Sequence, residues 1–521
     1  VGIDFGTTNS SISFWNAKKK SIENIKDGLK KLIPSKILFD QDKTYFGNYI
    51  PLIHSSDNEK SKSLIHSFKR LINTPEETDF TKSLSYPVKL TDSKWSINLP
   101  KKSYQLEQVL ILFIAHLKKI ITKYLKCSTI KAVITVPSNY HDHQRILMKK
   151  SFEANQINVL RIINEPTAAA LTYGLSADTM DKDEKILVFD IGGGTLDLSL
   201  LEIDNGFFEA VANSGDLNLG GNDFTKTIYD YFLKDLKSKY SDIQLFKTAL
   251  WNQAEKCKIN LLYRNKVTLK LKNIVEGEDY LGVLTLDQFN KLIDPLVQKA
   301  LTCAEELLQQ NYVTDLEHIL MIGGSSRVKY LQQSIFQKFG KKPLVYHDLE
   351  NVVSYGACLQ AALLEKVYQD NSDIILVDVL PLSLGVKTAD GLFSIIIPRN
   401  TPVPAQRTQK YTTSDDTMID ETELEIEVYE GIRNLCEDNY LVGKFIFNIN
   451  KSVNSPVLDI KFEVDSNGII KVSVIDKKSE SKKVVVLENV SSQLDENVLS
   501  EYYQNAEKCM ESDLILEKKQ Q

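Results

Sequence analysis

The sequence predicts an α/β region, then an antiparallel β domain, and then the start of a helical segment. Three patterns lead to this prediction. From Val1 to about Leu364, short apolar strands alternate with stretches of helical periodicity, as they do in α/β domains. Beyond Pro381, apolar and polar residues alternate strictly, which is typical of antiparallel strands with one solvated face. A helical pattern begins at Asp495 and continues to Gln521.

Several elements can be justified one by one. The run AVITV at 132–136 predicts a buried strand that ends at a proline. Apolar residues at helical spacing predict helices over 106–124 and 289–308. In the stretch 423–428, apolar residues point one way and glutamates the other. The tetrapeptide DSNG at 465–468 lies between two alternating runs and predicts a hairpin turn.

Length and composition narrow the class of protein. A chain of 521 residues is too long for one core, so two to four domains are expected. The net charge of −6 disfavours a nucleic-acid or anionic-membrane partner, and no apolar run is long enough to span a membrane. No signal peptide is visible, although the chain opens at Val1, which leaves the true amino terminus open. Six scattered cysteines fit a reducing cytoplasm and predict no zinc or disulfide framework: Cys127, Cys257, Cys303, Cys358, Cys436 and Cys509.

An internal repeat is the strongest signal in the α/β region. VGIDFGTTNS at the start is echoed by LVFDIGGGTLDLS around residue 190, and each places an Asp after apolar residues and before a Gly/Thr turn. The strand–helix pair AVITVP and EPTAAALTYGL is echoed by HILMIGG and NVVSYGACLQAALL. Similar modules in the same order suggest two halves of one ancestral design.

The repeated turns suit the binding of a metal-bound nucleotide. Glycine lets backbone N–H groups approach phosphate oxygens, threonine hydroxyls add donors, and an Asp carboxylate can hold hydrated Mg²⁺. One such turn alone could be an ordinary hairpin. Two further glycine turns, LGGND at 219–223 and IGGSSR at 322–327, make a phosphate-binding cleft the better interpretation. The P-loop spacing is absent, so the phosphates would be held differently.

These motifs together resemble the DnaK-type seventy-kilodalton heat-shock chaperones. The resemblance rests on DFGTTNS, SFKRLI, AVITVP, RIINEPTAAALTYGL, FDIGGGTLD, LGGNDF, IGGSSR and DIILVDVLPLSLG, which occur in order over almost the whole chain. It implies an actin/hexokinase-like α/β ATPase domain with duplicated halves. It also implies an antiparallel β-sandwich that binds peptides, followed by a truncated helical lid.

The resemblance and the patterns together predict four segments. These are a nucleotide-binding ATPase domain over 1–368, an interdomain linker over 369–380, a β-sandwich substrate-binding domain over 381–492 and the start of a helical lid over 493–521. The linker carries an apolar run, 374–377, between two aspartates. Permanent exposure of this run would be unfavourable. We expect it to dock on the ATPase domain and to be released again, and an ordinary edge strand is the alternative.

The resemblance implies roles for individual residues of the cleft. The catalytic residues would be Lys69, Glu165, Asp190, Thr195 and Asp197. ATP or ADP would be contacted by Asp4, Gly6, Thr7, Thr8, Asn9, Gly192, Gly193, Gly194, Gly220, Gly221, Glu255, Lys258, Gly323, Gly324, Ser325 and Arg327. Mg²⁺ would be held, mostly through water, by Asp4, Asp190 and Asp197. Taken singly, Lys69 could be a solvated helix lysine and Glu165 an acid that begins a helix before Pro166.

Two further sets of residues match the family outside the cleft. An allosteric relay and a docking face for a J-domain co-chaperone would use Pro137, Arg145, Arg161, Asn164 and Asp378. The peptide groove would be lined by Leu384, Val386, Tyr411, Leu424 and Ile426. For each groove residue, ordinary core packing is the alternative.

Within the family, the sequence is most similar to the HscA-type branch, which serves iron–sulphur cluster assembly. The stretch IIPRNTPVPAQRTQKYTT and the short segment after Tyr263 carry this resemblance. It implies a J-domain co-chaperone and an iron–sulphur scaffold protein as the peptide client, and we expect a monomer without nucleic-acid or membrane partners. A general folding chaperone, or a regulatory relative that binds ATP with little hydrolysis, is the alternative.

The sequence also departs from the family pattern. The lid barely starts before Gln521, so slow release of bound peptide is in doubt. The run 139–141 replaces an aromatic-aromatic-Asn sequence, which predicts weaker communication between domains. Ala389 and Ser414 stand where a bulky arch usually covers the peptide, and the 415–421 loop is longer than expected.

Two more distant competitors share the predicted ATPase fold. A small-molecule kinase or an actin-like filament protein would not need the β-rich segment that follows Pro381. We therefore interpret the sequence as an ATP-hydrolysing chaperone in which hydrolysis switches a peptide-binding domain between loose and tight states.

Overall fold

The computed structural model describes residues 1–40, 43–51, 63–74, 76–91, 94–176, 184–204, 206–240, 247–275, 278–346, 348–368, 374–412, 423–448, 457–476 and 482–486. The predictions for Ser414, for the 415–421 loop and for the lid at 493–521 concern residues outside these ranges. The described chain forms two α/β lobes and a β domain, which are defined below by their sheets.

The first lobe is built on a sheet with strand order β12-β11-β1-β2-β3, to which β4 is added beside β2. Smaller sheets, β6-β5-β7 and β10-β9-β8, cover its outer part. Its strands are β1 Gly2–Phe5, β2 Asn9–Asn16, β3 Ser21–Asn24, β4 Leu32–Pro34, β5 Lys36–Asp40, β6 Lys43–Phe46, β7 Leu64–His66, β8 Val88–Thr91, β9 Lys94–Asn98, β10 Ser103–Gln105, β11 Ile130–Val136 and β12 Ile157–Asn164. Its helices are α1 Asp79–Ser83, α2 Leu106–Leu125, α3 Asp142–Ala154 and α4 Glu165–Ser176, with 3-10 helices at Gly47–Tyr49 and Phe68–Asn73.

The second lobe is built on a sheet with strand order β19-β18-β13-β14-β15-β20-β23, in which β23 is Pro402–Val403, and β16 and β17 form a separate two-stranded sheet. Its strands are β13 Glu184–Ile191, β14 Leu196–Asp204, β15 Phe207–Asp216, β16 Lys266–Val275, β17 Glu278–Thr285, β18 His318–Ile322, β19 Leu344–Val345 and β20 Ile375–Val379. Its helices are α5 Gly221–Lys239, α6 Lys247–Leu261, α7 Leu286–Gln310, α8 Lys329–Phe339 and α9 Val352–Leu364, with a 3-10 helix at Gly324–Arg327.

The two sheets have the same neighbour relations at their centres. In the first lobe β1 runs parallel to β11 and antiparallel to β2, and in the second β13 runs parallel to β18 and antiparallel to β14. Helices α4 and α9 follow the corresponding strands, and their small residues, including Ala168 and Ala357, are fully buried in a shared core. This arrangement is what the repeated strand–helix motifs predict, although a common ancestry stays a prediction.

The β domain consists of two antiparallel sheets of four strands each, with orders β22-β21-β25-β26 and β24-β27-β28-β29. Its strands are β21 Ser383–Lys387, β22 Phe393–Ile397, β23 Pro402–Val403, β24 Ala405–Thr412, β25 Glu423–Gly431, β26 Tyr440–Asn448, β27 Val457–Val464, β28 Ile470–Asp476 and β29 Lys482–Val486, with a 3-10 helix at Cys436–Asp438. Alternate residues of these strands, such as Phe447 and Val472, form one apolar core. Gly468, with φ +79°, supplies the left-handed residue of the predicted hairpin turn between β27 and β28.

Residues 374–380, the described part of the predicted linker, contain strand β20, which lies next to β15 in the sheet of the second lobe. β20 pairs in parallel with β15 over Phe207–Glu209 and in antiparallel fashion with β23 of the β domain. Leu376 and Asp378 are buried, whereas Ile375 is half exposed. The docked strand therefore connects the second lobe with the β domain directly.

The long predicted elements are confirmed with small shifts in their ends. The helices predicted over 106–124 and 289–308 are α2 and α7, and the strand predicted over 132–136 is β11. In the described part of the chain, no helix combines the length and the hydropathy that a membrane crossing requires.

Candidate functional site

The two Asp-Gly hairpins meet across a cleft between the lobes. A side chain added at Gly193 would collide with Thr8, and one added at Gly194 would lie 2.9 Å from the Thr7 Oγ1. A third glycine, Gly220, lies so close behind them that an added Cβ would be 2.7 Å from the backbone nitrogen of Gly194. Glycine is therefore required here because backbones and hydroxyls of opposite lobes approach closely.

The cleft encloses a cavity of about 430 Å³. Most of the cofactor and catalytic residues predicted from the sequence line it: Asp4, Gly6, Thr7, Thr8, Asn9, Lys69, Glu165, Asp190, Gly192, Gly193, Thr195, Gly221, Glu255, Lys258, Gly323, Gly324, Ser325 and Arg327. Gly194 and Gly220 lie directly behind this lining, and Asp197 is fully buried beside Asp190 on the paired strand. The structure thus brings both halves of the repeat to one cavity, while the roles of these residues stay predictions.

Three carboxyl groups converge at the floor of the cleft. Asp4 is the next-to-last residue of β1, whereas Asp190 and Asp197 face each other on β13 and β14. Burial raises the pKa of Asp4 to about 7 and that of Asp197 to about 6, and the Glu165 carboxylate adds to both increases. Burial also raises the pKa of Asp190 well above its ordinary value. These groups repel each other when ionised, so the site favours a bound cation.

Lys69 supplies one cation to this cluster. It lies on the 3-10 helix Phe68–Asn73, and its Nζ donates a 2.9 Å hydrogen bond to the Glu165 Oε1. Only 3% of the Lys69 side chain is exposed, so it is not a solvated helix lysine. Burial by itself lowers the pKa of Lys69, but the Glu165 and Asp4 carboxylates outweigh this effect and raise it above its ordinary value. Lys69 therefore stays charged at neutral pH.

The carboxylates fit a hydrated divalent cation such as Mg²⁺. Asp197 accepts hydrogen bonds through its Oδ1 from the backbone N–H and the hydroxyl of Ser138, at 2.8 and 3.0 Å. Its Oδ2 is buried and has no hydrogen-bond partner among the described residues. Oxygen ligands and retained waters are what Mg²⁺ prefers. In the part of the chain that the structure describes, no group of three His, Cys, Asp or Glu side chains could hold an ion by itself.

The wall of the cleft belongs to the second lobe. The Lys258 Nζ lies 2.7 Å from the Glu255 Oε2 and donates a hydrogen bond to the carbonyl oxygen of Gly221. The Ser325 hydroxyl donates to the carbonyl oxygen of Gly192 at 2.8 Å. These contacts fasten helix α6 to the third glycine turn and the fourth glycine turn to the second hairpin.

Arg327 has a partner that sequence reasoning missed. Its Nη2 lies 2.6 Å from the Glu350 Oε1, and both side chains remain about one-third exposed at the cavity rim. Apolar residues of the lining were also missed, namely Ile259, Leu262, Tyr263, Val328, Leu349 and Val353. They adjoin the motifs in sequence, but only folding shows that they face the cavity.

A chain of hydrogen bonds leads from the cleft to the linker strand. Ser138, which binds Asp197, accepts at its carbonyl oxygen from the Arg145 Nη2 at 3.4 Å. The same nitrogen donates to the Asn164 Oδ1 at 2.7 Å. The Nδ2 of Asn164 in turn donates to the Asp378 Oδ1 at 3.0 Å. Three of the predicted relay residues are thus linked in a continuous network.

The other predicted relay residues lie beside this network. Arg161 donates from its Nη2 to the carbonyl oxygen of Leu376 at 3.1 Å, and Thr167 donates to Asp378 at 2.7 Å. Pro137 ends β11 immediately before Ser138. Arg161 therefore contacts the linker strand in this structure, and whether it also meets a co-chaperone stays a prediction.

The β domain docks on the first lobe through an interface that the sequence did not predict. The backbone N–H of Ile470 donates to the Asp142 Oδ1 at 3.0 Å, and that of Ile162 donates to the Asn467 Oδ1 at 2.9 Å. The backbone N–H of Asp142 donates to the Glu430 Oε2 at 3.3 Å. No signal marked Glu430, because a glutamate at the end of an alternating strand resembles a solvated residue.

His141, noted in the sequence as a departure from the family, also lies in this interface. Its ring centroid is 4.1 Å from that of Tyr440, and its Nδ1 is 3.8 Å from the Glu430 Oε2. Burial lowers the pKa of His141 to about 3 and raises that of Glu430 to about 7. A neutral imidazole therefore packs here, and the expected weakening of domain communication stays a prediction.

The predicted peptide groove divides into two sets. Leu384, Val386 and Ile426 are buried in the core of the sandwich, as the alternative interpretation expected. Tyr411 and Leu424 are partly exposed, and the Tyr411 hydroxyl lies 2.8 Å from the Ser394 hydroxyl. Tyr411 and Leu424 thus keep some exposed surface, Ala389 is exposed, and a peptide groove stays a prediction.

An α/β unit with such a cleft, joined to a β-sandwich, has the architecture of an ATPase domain followed by a second, β-rich domain. A family model described as Hsp70 protein matches residues 1–521, and the chain therefore belongs to the Hsp70 family. Members of this family are ATPases that bind ATP or ADP with Mg²⁺, bind peptide clients and generally work with J-domain co-chaperones. The resemblance found in the sequence is confirmed at the level of the family.

Proposed function

We propose that this protein is a chaperone that hydrolyses ATP in the cleft between its lobes and thereby controls peptide binding by its β domain. The observation that carries the proposal is the hydrogen-bond chain from Asp197 to Asp378. It runs from the floor of the cleft to the strand that joins the second lobe to the β domain. A change in charge at the cleft can therefore alter the linker through contiguous polar contacts.

The side chains of the cleft suit the hydrolysis of a phosphoanhydride. Lys69, held by Glu165, would neutralise charge that develops on the terminal phosphoryl group. Thr7, Thr8 and Thr195 offer hydroxyl donors, and the glycine turns offer backbone N–H groups. Bound Mg²⁺ would supply charge neutralisation on the phosphate oxygens. Asp190 and Asp197 would accept hydrogen bonds from the attacking water and from waters around the ion.

The docked arrangement supports a switch between two states. In this structure β20 is an edge strand of the second lobe, and Arg145 contacts the hairpin turn of the β domain at Gly468. We assign this arrangement to the state that ATP favours. Loss of the terminal phosphate would weaken the network, release β20 and let the β domain close on a peptide.

We further propose that the client is an iron–sulphur scaffold protein, recognised through a short apolar segment. Support comes from the sequence resemblance to the HscA-type branch over 396–413 and from the short segment after Tyr263. An extended segment could use main-chain hydrogen bonds and an apolar contact at Tyr411 and Leu424. The Hsp70 family also includes general folding chaperones, which makes broad client binding the alternative.

Steady-state ATP hydrolysis tests both proposals. The rate is measured for the protein alone, with a J-domain protein, and with that protein plus an iron–sulphur scaffold or a generic unfolded peptide. We expect basal hydrolysis that the J-domain protein and the scaffold together stimulate, and that Lys69→Ala abolishes. If the generic peptide stimulated hydrolysis as strongly as the scaffold protein, the protein would be a general folding chaperone. Binding of ATP without any hydrolysis would favour a regulatory role instead.

A further inference from the structure

Arg70 is a buried cation next to Lys69 that does not line the cleft. It lies on the same 3-10 helix of the first lobe, yet its Nη2 reaches the second lobe. There it donates to the Asn218 carbonyl oxygen at 2.7 Å and to the Asp223 Oδ1 at 3.0 Å. Only 3% of the Arg70 side chain is exposed, and its guanidinium lies 4.4 Å from the centroid of the Phe80 ring. This environment is much more specific than that of a surface charge.

The acceptor, Asp223, is itself held in place. It lies in the first turn of α5, and its Oδ2 accepts a hydrogen bond from the backbone N–H of Gly220 at 2.8 Å. Burial raises the pKa of Asp223, and the Arg70 guanidinium opposes that increase. The same turn is fastened to the second hairpin, because the backbone N–H of Asn222 donates to the Gly193 carbonyl oxygen at 2.7 Å. Arg70 is thus connected to the phosphate-facing backbone through one short, rigid turn.

A second contact joins the same two elements on the other side of Lys69. The Asn222 Nδ2 donates to the Ser67 Oγ at 3.1 Å. Ser67 precedes the 3-10 helix in a left-handed conformation, with φ +55°. Such a conformation costs about 1 kcal/mol or more in a non-glycine residue and persists where surrounding contacts impose it. Lys69 is therefore bracketed by two residues that both bind the first turn of α5.

We propose that Ser67 and Arg70 form, with Asn222 and Asp223, a clasp across the cleft that positions the Lys69 ammonium for phosphoryl transfer. This inference rests on the proposed ATP hydrolysis and adds positioning residues to it. Arg70 acts through Lys69 and through closure of the lobes, and it makes no contact with the nucleotide. The clasp makes the geometry of Lys69 depend on the second lobe, so the ammonium reaches its working position when the cleft is closed. Small displacements of such a group have large effects on rate, because phosphoryl transfer depends on positioning.

The experiment compares single-turnover hydrolysis of γ-labelled ATP with the equilibrium affinity for ATP, both in the presence of Mg²⁺. We expect Arg70→Ala to lower the hydrolysis rate constant at saturating ATP by about tenfold, with a change in ATP affinity of less than about threefold. Arg70→Lys keeps the charge but cannot reach both acceptors as a planar fork, so it should recover part of the rate. Arg433→Ala, at an exposed arginine of the β domain, is the matched control and should behave as the wild type.

Two further variants separate positioning from folding. Asn222→Ala removes the contact with Ser67 without removing a buried charge, and we expect a two- to threefold lower rate constant, about 0.5 kcal/mol. Asp223→Asn keeps the side-chain shape. If Arg70 and Asp223 act as one pair, the double variant should have the same rate constant as Arg70→Ala alone.

Three results would overturn the inference. These are an unchanged rate constant in both Arg70→Lys and Arg70→Ala, losses that multiply in the Arg70→Ala/Asp223→Asn double variant, or a lower melting temperature with an unchanged rate per folded molecule. If the wild type bound ATP but did not hydrolyse it, the proposed function and the clasp would fail together. If the wild type hydrolysed ATP and both Arg70 variants did so at the same rate, the clasp inference alone would fail.

Discussion

The side-chain amide of Asn164 donates a 3.0 Å hydrogen bond to the carboxylate of Asp378, and this contact joins the first lobe to the strand that leads into the β domain. Asn164 ends β12 immediately before the helix that begins at Glu165. The Asn164 side chain also accepts a hydrogen bond from Arg145, and the next residue, Glu165, accepts one from Lys69. Two consecutive residues therefore contact both the cleft lysine and the linker strand.

Replacing Asp378 should release the linker strand. Asp378→Ala removes the acceptor of Asn164 and Thr167 in a buried position. Hydrogen bonds to a charged group contribute about 1.5–3 kcal/mol each, so we expect the docked population to fall at least tenfold. Hydrogen exchange of the backbone amides in β20 measures this population. Asp390→Asn, at an exposed aspartate of the β domain, is the control, and equal protection in both variants would contradict the relay.

Lys69→Ala should abolish most of the hydrolysis while ATP still binds. Loss of one preorganised cation or donor at a phosphoryl-transfer site lowers the rate constant by about 10²–10³-fold. The measurement is single-turnover hydrolysis with ATP affinity determined separately. Lys82→Ala, at an exposed lysine of α1, controls for loss of charge alone. If the rate constant of Lys69→Ala lay within threefold of the wild-type value, Lys69 would not be a catalytic residue.

Gly193→Ala should weaken ATP binding through a steric effect. A Cβ at this position collides with Thr8 of the opposite hairpin, so one of the two must move out of its place in the cleft lining. We expect ATP affinity to fall about tenfold or more, because the phosphate-facing donors no longer converge. Calorimetric titration with ATP checks this result. Unchanged ATP binding in Gly193→Ala would contradict the closeness of the two hairpins.

Docking of the β domain should weaken as the pH rises through neutrality. The docked pKa of Glu430 is about 7, above its ordinary value, so docking takes up a proton and is favoured below that pH. Asp142, whose pKa burial also raises, acts in the same direction, whereas His141, whose pKa burial lowers to about 3, opposes docking only below about pH 6.5. Arg145, His143, Asp378 and Asp465 also surround these groups.

Between pH 6.5 and 7.5 we therefore expect the docking equilibrium to fall about threefold from Glu430 alone. Energy transfer between fluorophores on the first lobe and the β domain measures it. Glu430→Gln removes this titration, so its profile should be flatter. A Glu430→Gln profile as steep as that of the wild type would assign the dependence to another group.

Phe447→Ala should destabilise the β domain far more than Ile446→Ala. Phe447 is 2% exposed in the core of the sandwich, whereas its neighbour Ile446 is 45% exposed on the opposite face. Truncation of a buried phenylalanine costs about 3–5 kcal/mol of unfolding free energy, and truncation of the exposed residue should cost less than about 1 kcal/mol. Urea denaturation of both variants provides the comparison. Similar losses at the two sites would contradict the strand register.

Much of the candidate site could be predicted from the sequence because its motifs are local. Asp4 and Asp190 are each the next-to-last residue of a strand, and a glycine-containing turn follows each strand. Taken singly, Lys69 and Glu165 each have an ordinary structural interpretation. The family resemblance assigned them to one site, and the 2.9 Å contact between them removes the interpretation of a solvated lysine.

The groove residues illustrate the opposite case. Apolar side chains at alternate positions of a strand can fill a core or line a groove, and the sequence pattern is the same in both. Leu384 and Ile426 belong to the core, while Leu424, two residues from Ile426, keeps exposed surface. Burial depends on the facing sheet, which the local sequence does not specify.

The sequence by itself determined the order of elements, the repeated hairpins and the alternating strands, because each depends on residues near one another in the chain. Tertiary structure alone decided which distant residues meet, including Arg70 with Asp223, Glu430 with the backbone N–H of Asp142, and Arg327 with Glu350. Such contacts join residues separated by 23 to 288 positions. The sequence does not show whether a charged side chain is solvated by water or paired with a buried partner. Packing between lobes and domains decides this, because it excludes water from the side chain.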